Sequence, residues 1–243
     1  GEFKMYLQPQ ISAKTRRLTG AEALVRRIKP DGTIISPIDF IPVYEKSGLI
    51  SRLDRYIWEQ AAAKLGEWKK AGINMSISVN ISPKDFYYID IFNTFAGLIK
   101  KYDIEPSNLK IEITETTIMS DVPNLMGELE ELRKAGFTLE MDDFGSGYSS
   151  LNTLKDINVD VLKVDMGFIK ETKNVKKSRI ILASVIKMAK ELNLLIITEG
   201  VETEEQVDNL TKLGCDVFQG YYFSKAIDVN EFEKRYLYRK KAG

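Results

Sequence analysis

The sequence predicts an α/β fold, a TIM-like (β/α)8 barrel with its first strand antiparallel. Three observations predict it. Eight strand-like segments recur along 243 residues, and the later ones alternate with helical segments. The connection between the first two strands is too short for the crossover helix that parallel neighbours need. No internal repeat, low-complexity tract or Gly/Ser linker divides the chain, so residues 1–243 read as a single domain.

The first strand is Met5-Tyr6-Leu7-Gln8, stopped at Pro9. About a dozen mostly polar residues lead to the second, Ala21 to Arg26. Ser36-Pro37 opens a helix in the N-cap and N1 positions. Phe40, Ile41 and Tyr44 give it an apolar face, and Gly48 ends it. A longer helix runs from Leu53 to Lys70, closed by Ala71-Gly72. Met75 to Ile81 is a strand. After Ser82-Pro83, Ile91, Phe95, Leu98 and Tyr102 recur at helical spacing. Leu109 to Glu115 is a strand, and Val122, Leu125, Leu129 and Leu132 mark a helix ending at Gly136. The strand opening at Leu139 is followed by a short helix near Leu151 to Leu154 and the strand Val161 to Asp165. Helix Ser178 to Leu192, strand Leu194 to Glu199 and helix Glu202 to Leu213 come next, the last closed by Gly214. Val217 to Tyr221 is the final strand and Glu231 to Tyr238 the final helix.

Composition excludes several classes of function. Thirty-five basic and thirty-five acidic residues cancel, so no broad field draws a nucleic-acid polymer or a membrane surface. There is no histidine, which removes His-based triads and His-ligated metals. Proton transfer near neutral pH must use carboxylates, Lys, Tyr or metal-bound water. Cys215 stands alone, so no disulfide framework or Cys-rich zinc site is expected. No apolar run reaches the ~20 residues of a membrane helix, and Gly1-Glu2-Phe3-Lys4 lacks the apolar segment of a leader. These features fit a cytoplasmic domain, and they leave open a membrane anchor elsewhere in a longer protein.

The chemistry centres on Leu139 to Ser150, an apolar strand running into a glycine-bearing loop. Asp142 and Asp143 sit at the join. Adjacent residues of a regular strand point to opposite faces, so the strand must end or bend here, and Gly145 and Gly147 allow the turn. Paired carboxylates raise each other's pKa unless a cation neutralises them, and hard divalent cations take such oxygens. An Asp-Asp turn closing a strand is the plainer alternative. Active sites of such barrels lie at the C-terminal face of the strands. Polar residues in or closing the strands are Glu22, Asn80, Glu112, Asp142, Asp143, Lys163, Glu199 and Gln219. Singly, each has an ordinary explanation as a cap, an ion-pair partner or a loop charge. Jointly they do not, because charge in barrel strands is costly unless paired or metal-bound. Five carboxylates, an amide and one ammonium suit two divalent cations, a bridging Asp and a water, a recurrent arrangement for phosphodiester hydrolysis. Arg26, at the end of its strand, presents either a phosphate-binding fork or a rim salt bridge.

These residues resemble the EAL domain, the family of cyclic di-GMP phosphodiesterases, over nearly the whole chain. The resemblance is carried by Gln8-Pro9, Glu22-Ala23-Leu24-Val25-Arg26, Phe40-Ile41-Pro42, Asn80-Ile81-Ser82 and Glu112-Ile113-Thr114-Glu115. It continues through Asp142 to Leu151, Leu162-Lys163-Val164-Asp165, Glu199-Gly200-Val201-Glu202 and Gln219-Gly220-Tyr221. It implies hydrolysis of cyclic di-GMP to linear pGpG with two Mg²⁺ or Mn²⁺ ions. Glu22, Asn80, Glu112 and Asp142 would hold one metal, with Asp142 bridging to a second that Asp143 also holds. Lys163 would position the attacking water, and Glu199 is the family's general-base candidate or acts through the second metal. Gln8, Leu24, Arg26 and Gln219 would contact the dinucleotide. Glu115 and Glu202 would support the site from behind, Glu115 by holding the loop from Phe144 to Ser150 that carries Gly145 and Gly147, and Asp165 would support the site beside Lys163. The resemblance also implies a homodimer, a role in bacterial second-messenger signalling and excision from a longer multidomain protein with sensor or cyclase domains.

The departures are Thr198 where Ala is usual, Ser146 for Thr, Gln10 for an aliphatic residue and Ala226 for Pro. None removes a ligand, and Thr198 is expected to place a hydroxyl beside Glu199. The rival from another class is a non-catalytic cyclic di-GMP receptor, although such receptors usually lack several ligands. A third reading makes Lys163 a Schiff-base nucleophile, against which the surrounding carboxylates argue by raising its pKa.

Overall fold

A computed structural model describes residues 1–145, 154–167 and 175–238. Its ten strands are β1 (Phe3–Ser12), β2 (Leu18–Ile28), β3 (Ile34–Ile35), β4 (Ile77–Asn80), β5 (Leu109–Thr114), β6 (Leu139–Asp142), β7 (Val161–Asp165), β8 (Leu195–Glu199), β9 (Val217–Phe218) and β10 (Ile227–Asp228). Eight of them close a barrel in the order β1-β2-β4-β5-β6-β7-β8-β9, and β9 pairs back onto β1. From β2 to β9 every barrel pairing is parallel, whereas β1 runs antiparallel to both neighbours. The short β1–β2 connection therefore has the expected consequence. β3 pairs with the end of β2 and β10 with Tyr6 and Leu7 of β1, each over two residues, too short to show as a sequence pattern.

Two strands differ from expectation for identifiable reasons. β1 does not stop at Pro9. The proline lies between residues 6–7, which pair with β10, and residues 11–12, which pair with β9. On its other side, Pro9 faces Ala21, whose N–H donates at 3.0 Å to Ser76 O, just before β4. The missing N–H therefore falls where the ladder does not need it. The final strand is shorter than expected because β8, its parallel partner, ends at Glu199, and Gly200 takes a left-handed conformation (φ 67°). Gln219 N donates to Thr198 O at 2.9 Å, and Val201 N donates back to Gln219 O at 3.2 Å.

The helices begin and end much as their signals say. α1 (Pro37–Ser47) has Pro37 in its first turn and Gly48 as a left-handed cap (φ 72°) donating to Glu45 O at 3.2 Å. α2 (Ile50–Lys70) buries Leu53, Ile57, Trp58, Ala61, Leu65 and Trp68 against the barrel. The helix Glu204–Leu213 carries a capping box between Thr203 and Gln206. The segment after Ser82 divides into Asp85–Tyr88 and Ile91–Tyr102, and the last helix is Val229–Phe232 followed by a π turn. The short helix expected near Leu151 to Leu154 lies, apart from Leu154, outside the described residues, as do Ser146 and Gly147. Among the described residues no helix is long and apolar enough to cross a membrane.

The core is one large apolar cluster between barrel and helices, joined by a smaller one around Phe40, Ile50 and Leu53. Trp58 also secures the site, since its Nε1 donates to Asn80 O at 2.9 Å and pins the end of β4. Thr198 does not stand in the site. Its neighbour Glu199 faces inward, so Thr198 points to the helix layer, with Oγ1 3.1 Å from the buried Cys215 Sγ. Burial pushes the Cys215 thiol up to about 11.

Gly220 marks a close backbone approach, because a Cβ there would collide with the backbone N and O of Val201. Gly220→Ala is expected to cost about 3 kcal/mol in urea unfolding, since backbone cannot yield as a flexible side chain can. An unfolding midpoint unchanged from wild type would contradict this packing.

Candidate active site

Lys163 lies on β7, whose sheet neighbours are β6 and β8. Its Nζ is 2.7 Å from Glu112 Oε2 on β5, 2.8 Å from Glu199 Oε1 on β8, 3.4 Å from Asp142 Oδ1 on β6 and 3.5 Å from Glu22 Oε2 on β2. Two of these strands are not its neighbours, so the ammonium reaches across the barrel interior. Lys163 and Glu112 are fully buried, and Glu22 is nearly so. One layer deeper a second ion pair spans β5 and β6, with Lys110 Nζ 2.9 Å from the buried Glu140.

The electrostatics follow from this crowding. Burial alone would lower the Lys163 pKa, but Glu112, Glu199, Glu22 and Asp142 together outweigh it and hold the group well above its usual value. That opposes a neutral nucleophilic amine. Burial raises Glu112 well above the carboxylate range, with Glu22 adding to it and Lys163 opposing. Burial likewise lifts Glu199 to about 8, against the pull of Lys163. Asp143 is raised by burial and then by Asp142. One ammonium is too little positive charge for the carboxylates around it.

The amides attach at the edge of this cage. Asn80 Nδ2 donates to Glu22 Oε1 at 3.2 Å, and Gln219 Nε2 donates to Glu22 Oε2 and to Gln8 Oε1, the latter at 3.4 Å. β6 ends at Asp142, and Asp143 takes a left-handed conformation (φ 55°), the bend that two adjacent inward carboxylates require. Buried Glu115 accepts the Gly145 N–H at 3.3 Å and so anchors the start of the following loop. Asp165 Oδ1 accepts the Gly167 N–H at 2.6 Å and packs against Gly200, so it braces the loops beside β7 and β8. Glu202 lies on the exposed rim of a cleft that also contains Gln8, Glu199 and Gln219.

Arg26 makes no salt bridge among the described residues. Its guanidinium donates to its neighbour Val25 O at 2.8 Å and lies 6.0 Å from the centre of the Tyr6 ring. With Leu24 and Asn80 it lines a cavity of about 360 Å³ beside the cage. Asp54 shares that cavity, its carboxyl held well above the usual range by burial and by Asp85. Sequence reasoning passed over Asp54. The available signal was a carboxylate four residues from both Ile50 and Trp58, on the apolar face of α2. Gln10 was noted only as a departure, yet it is buried and donates to Gln219 Oε1 at 3.2 Å.

Among the described residues no three acidic or thiol side chains are arranged to hold a cation as they stand. The Lys163 ammonium occupies the middle of the carboxylates. The donor set nevertheless fits hard divalent cations. Every candidate atom is an oxygen, negative charge is in excess, and buried Glu112 Oε1 has no hydrogen-bond partner.

The EAL domain family model matches residues 1–226. Signaling protein YkoW of Bacillus subtilis is 37% identical over 96% of this chain, which spans 29% of YkoW. The bifunctional diguanylate cyclase/cyclic di-GMP phosphodiesterase MucR of Pseudomonas aeruginosa is 34% identical over 95% of this chain and 34% of MucR. The chain thus spans about a third of the length of these relatives. The solved PaMucR phosphodiesterase in its c-di-GMP complex superposes with a TM-score of 0.88 at 33% identity, covering 95% of this chain and 94% of that one. A closed barrel with one antiparallel strand, an intact set of inward carboxylates and a match over nearly the whole length place this chain in the EAL domain family.

Proposed function

We propose that this domain hydrolyses cyclic di-GMP to linear pGpG with divalent cations, Mg²⁺ or Mn²⁺. The observation that carries the reading is the cage itself: Glu22, Glu112, Asp142 and Glu199, from four strands, facing one buried ammonium. A non-catalytic receptor of the same ligand has no need to keep so many uncompensated carboxylates buried.

Glu22, Asn80, Glu112, Asp142 and Asp143 would hold the cations. When bound, the cations would supply charge stabilisation for the phosphate oxygens and an acidified water. Lys163 holds the carboxylates in their relative orientation and offers a donor to the attacking oxygen. Glu199, with its proton affinity raised by burial to about 8, suits a proton acceptor near neutral pH. Arg26, without a carboxylate partner among the described residues, presents its fork to a phosphate. Gln8 and Gln219 stand where they would orient the dinucleotide. The cavity behind Leu24 and Arg26 has room for a base, and Asp54 lines it with a carboxyl group able to hydrogen-bond the base's polar edge. Homodimer formation and coupling to a sensor or cyclase domain belong to the same reading.

Chromatography of cyclic di-GMP incubated with the protein and Mg²⁺ or Mn²⁺ tests the proposal. One new product, pGpG, is expected. A chelator should abolish it, and Glu22→Gln should slow it at least about 100-fold. Substrate that binds yet stays intact under both metals would show a receptor instead.

Lys163→Met probes the cage without substrate. Removing the ammonium leaves buried carboxylates unpaired, so the metal-free variant is expected to lose about 3–5 kcal/mol at neutral pH. Glu112 and Glu199 bind protons more tightly folded than unfolded, so the loss should shrink as pH falls and they become neutral. Urea unfolding at pH 5.5 and 8 measures this, and a loss that grows toward low pH would contradict it.

A further inference from the structure

A carboxamide has one accepting end and one donating end, and a half-turn of the group exchanges them. Gln219 is 3% exposed and stands between two partners of opposite character. Above it is Glu22, whose Oε2 accepts the Gln219 Nε2 hydrogen. Below it is Gln10, 1% exposed, whose Nε2 donates to Gln219 Oε1 at 3.2 Å. Only one of the two orientations satisfies both partners. In the other, Gln219 Oε1 would face the Glu22 carboxylate and its NH₂ would face the Gln10 NH₂.

The backbone is shaped for this contact. β1 and β2 pair Gln10 with Gly20, and the register shifts between Gln10 and Ile11, an irregularity of the kind that re-aims a side chain. A Cβ on Gly20 would lie 3.0 Å from Gln10 Oε1 and 2.7 Å from Ser76 Oγ, so glycine there leaves room for the amide. Thr19 Oγ1 donates to Gln10 O at 3.1 Å and holds the strand at the irregularity.

We propose that Gln10 is a positioning residue, a buried donor that fixes the orientation of the Gln219 amide and thereby the hydrogen bonds that Glu22 and Gln8 receive from it. The relay runs from Gln10 through Gln219 to the Glu22 carboxylate of the cage. Its consequence for dinucleotide binding rests on the phosphodiesterase reading above, whereas the orientation itself does not. Gln10→Met keeps the shape but removes the donor, and Gln10→Leu keeps the volume but removes the donor.

The test is hydrogen exchange of the Gln219 side-chain NH₂ in the ¹⁵N-labelled, unliganded chain, its signals identified by their loss in Gln219→Ala. Slow exchange is expected in wild type, with a rise of about tenfold in Gln10→Leu, the scale of one lost buried hydrogen bond. A rise of the same size is expected in Gln10→Met. Cyclic di-GMP turnover then separates positioning from packing. Gln10→Leu should raise KM about 5- to 10-fold, more than it lowers kcat, and should add less than about twofold in a Gln219→Ala background. Unchanged Gln219 exchange in both Gln10 variants, or turnover effects that multiply in the double variant, would overturn the proposal. A wild type that neither binds nor cleaves cyclic di-GMP would defeat the phosphodiesterase reading, while the exchange rates would still decide the role of Gln10.

Discussion

The structure depends on one buried cation among too many anions. Lys163 crosses the barrel to meet carboxylates from β2, β5, β6 and β8. Removing an ammonium from water is expensive, and removing several carboxylates is more so. Attraction between them recovers part of that cost only if the geometry is held. Barrel closure holds it. The parallel register sets Asn80 beside Glu112 and Asp165 beside Glu199, so these groups reach the same end of the barrel. Trp58 pins the end of β4, Gly220 lets the chain after β9 pass Val201, and the left-handed turn at Asp143 ends β6 beside Lys163.

The charge imbalance explains why the site should be reactive rather than merely polar. Burial raises Glu112, Asp143 and Glu199 together, so these groups gain from any species that supplies positive charge. Protons can do so, and so can hard divalent cations, which the all-oxygen donor set favours. A settled structural network would have been neutral. The amides around Glu22 orient one carboxylate without adding charge, so they refine the geometry and leave the demand for a cation intact.

Much of this was legible in the sequence. Period and punctuation gave the strands and helices, and the short link between β1 and β2 gave the antiparallel strand. The adjacent Asp142 and Asp143 announced a break in β6 because no regular strand could aim both inward. What stayed hidden depends on sheet register and barrel closure. Pro9 reads as a strand stop until the gap between β10 and β9 is seen to spare its missing N–H. Thr198 reads as a neighbour of Glu199 until strand alternation turns it toward Cys215. Gln10 and Gln219 are 209 residues apart and meet only because β9 closes onto β1. Asp54 passed unread although its spacing from Ile50 and Trp58 put it on the apolar face of α2, and the cavity it lines forms only when α2 is laid against the barrel.

The most direct test of the central claim is calorimetric titration of Mn²⁺ into the metal-free domain at pH 7 in two buffers of different ionisation enthalpy. Carboxylates that hold protons because positive charge is scarce must release them when a cation enters. The account expects Mn²⁺ binding with net proton release, diminished in Glu112→Gln. Mn²⁺ binding without proton release, or no binding at all, would contradict a cage poised for cations and leave Lys163 as a structural ion pair.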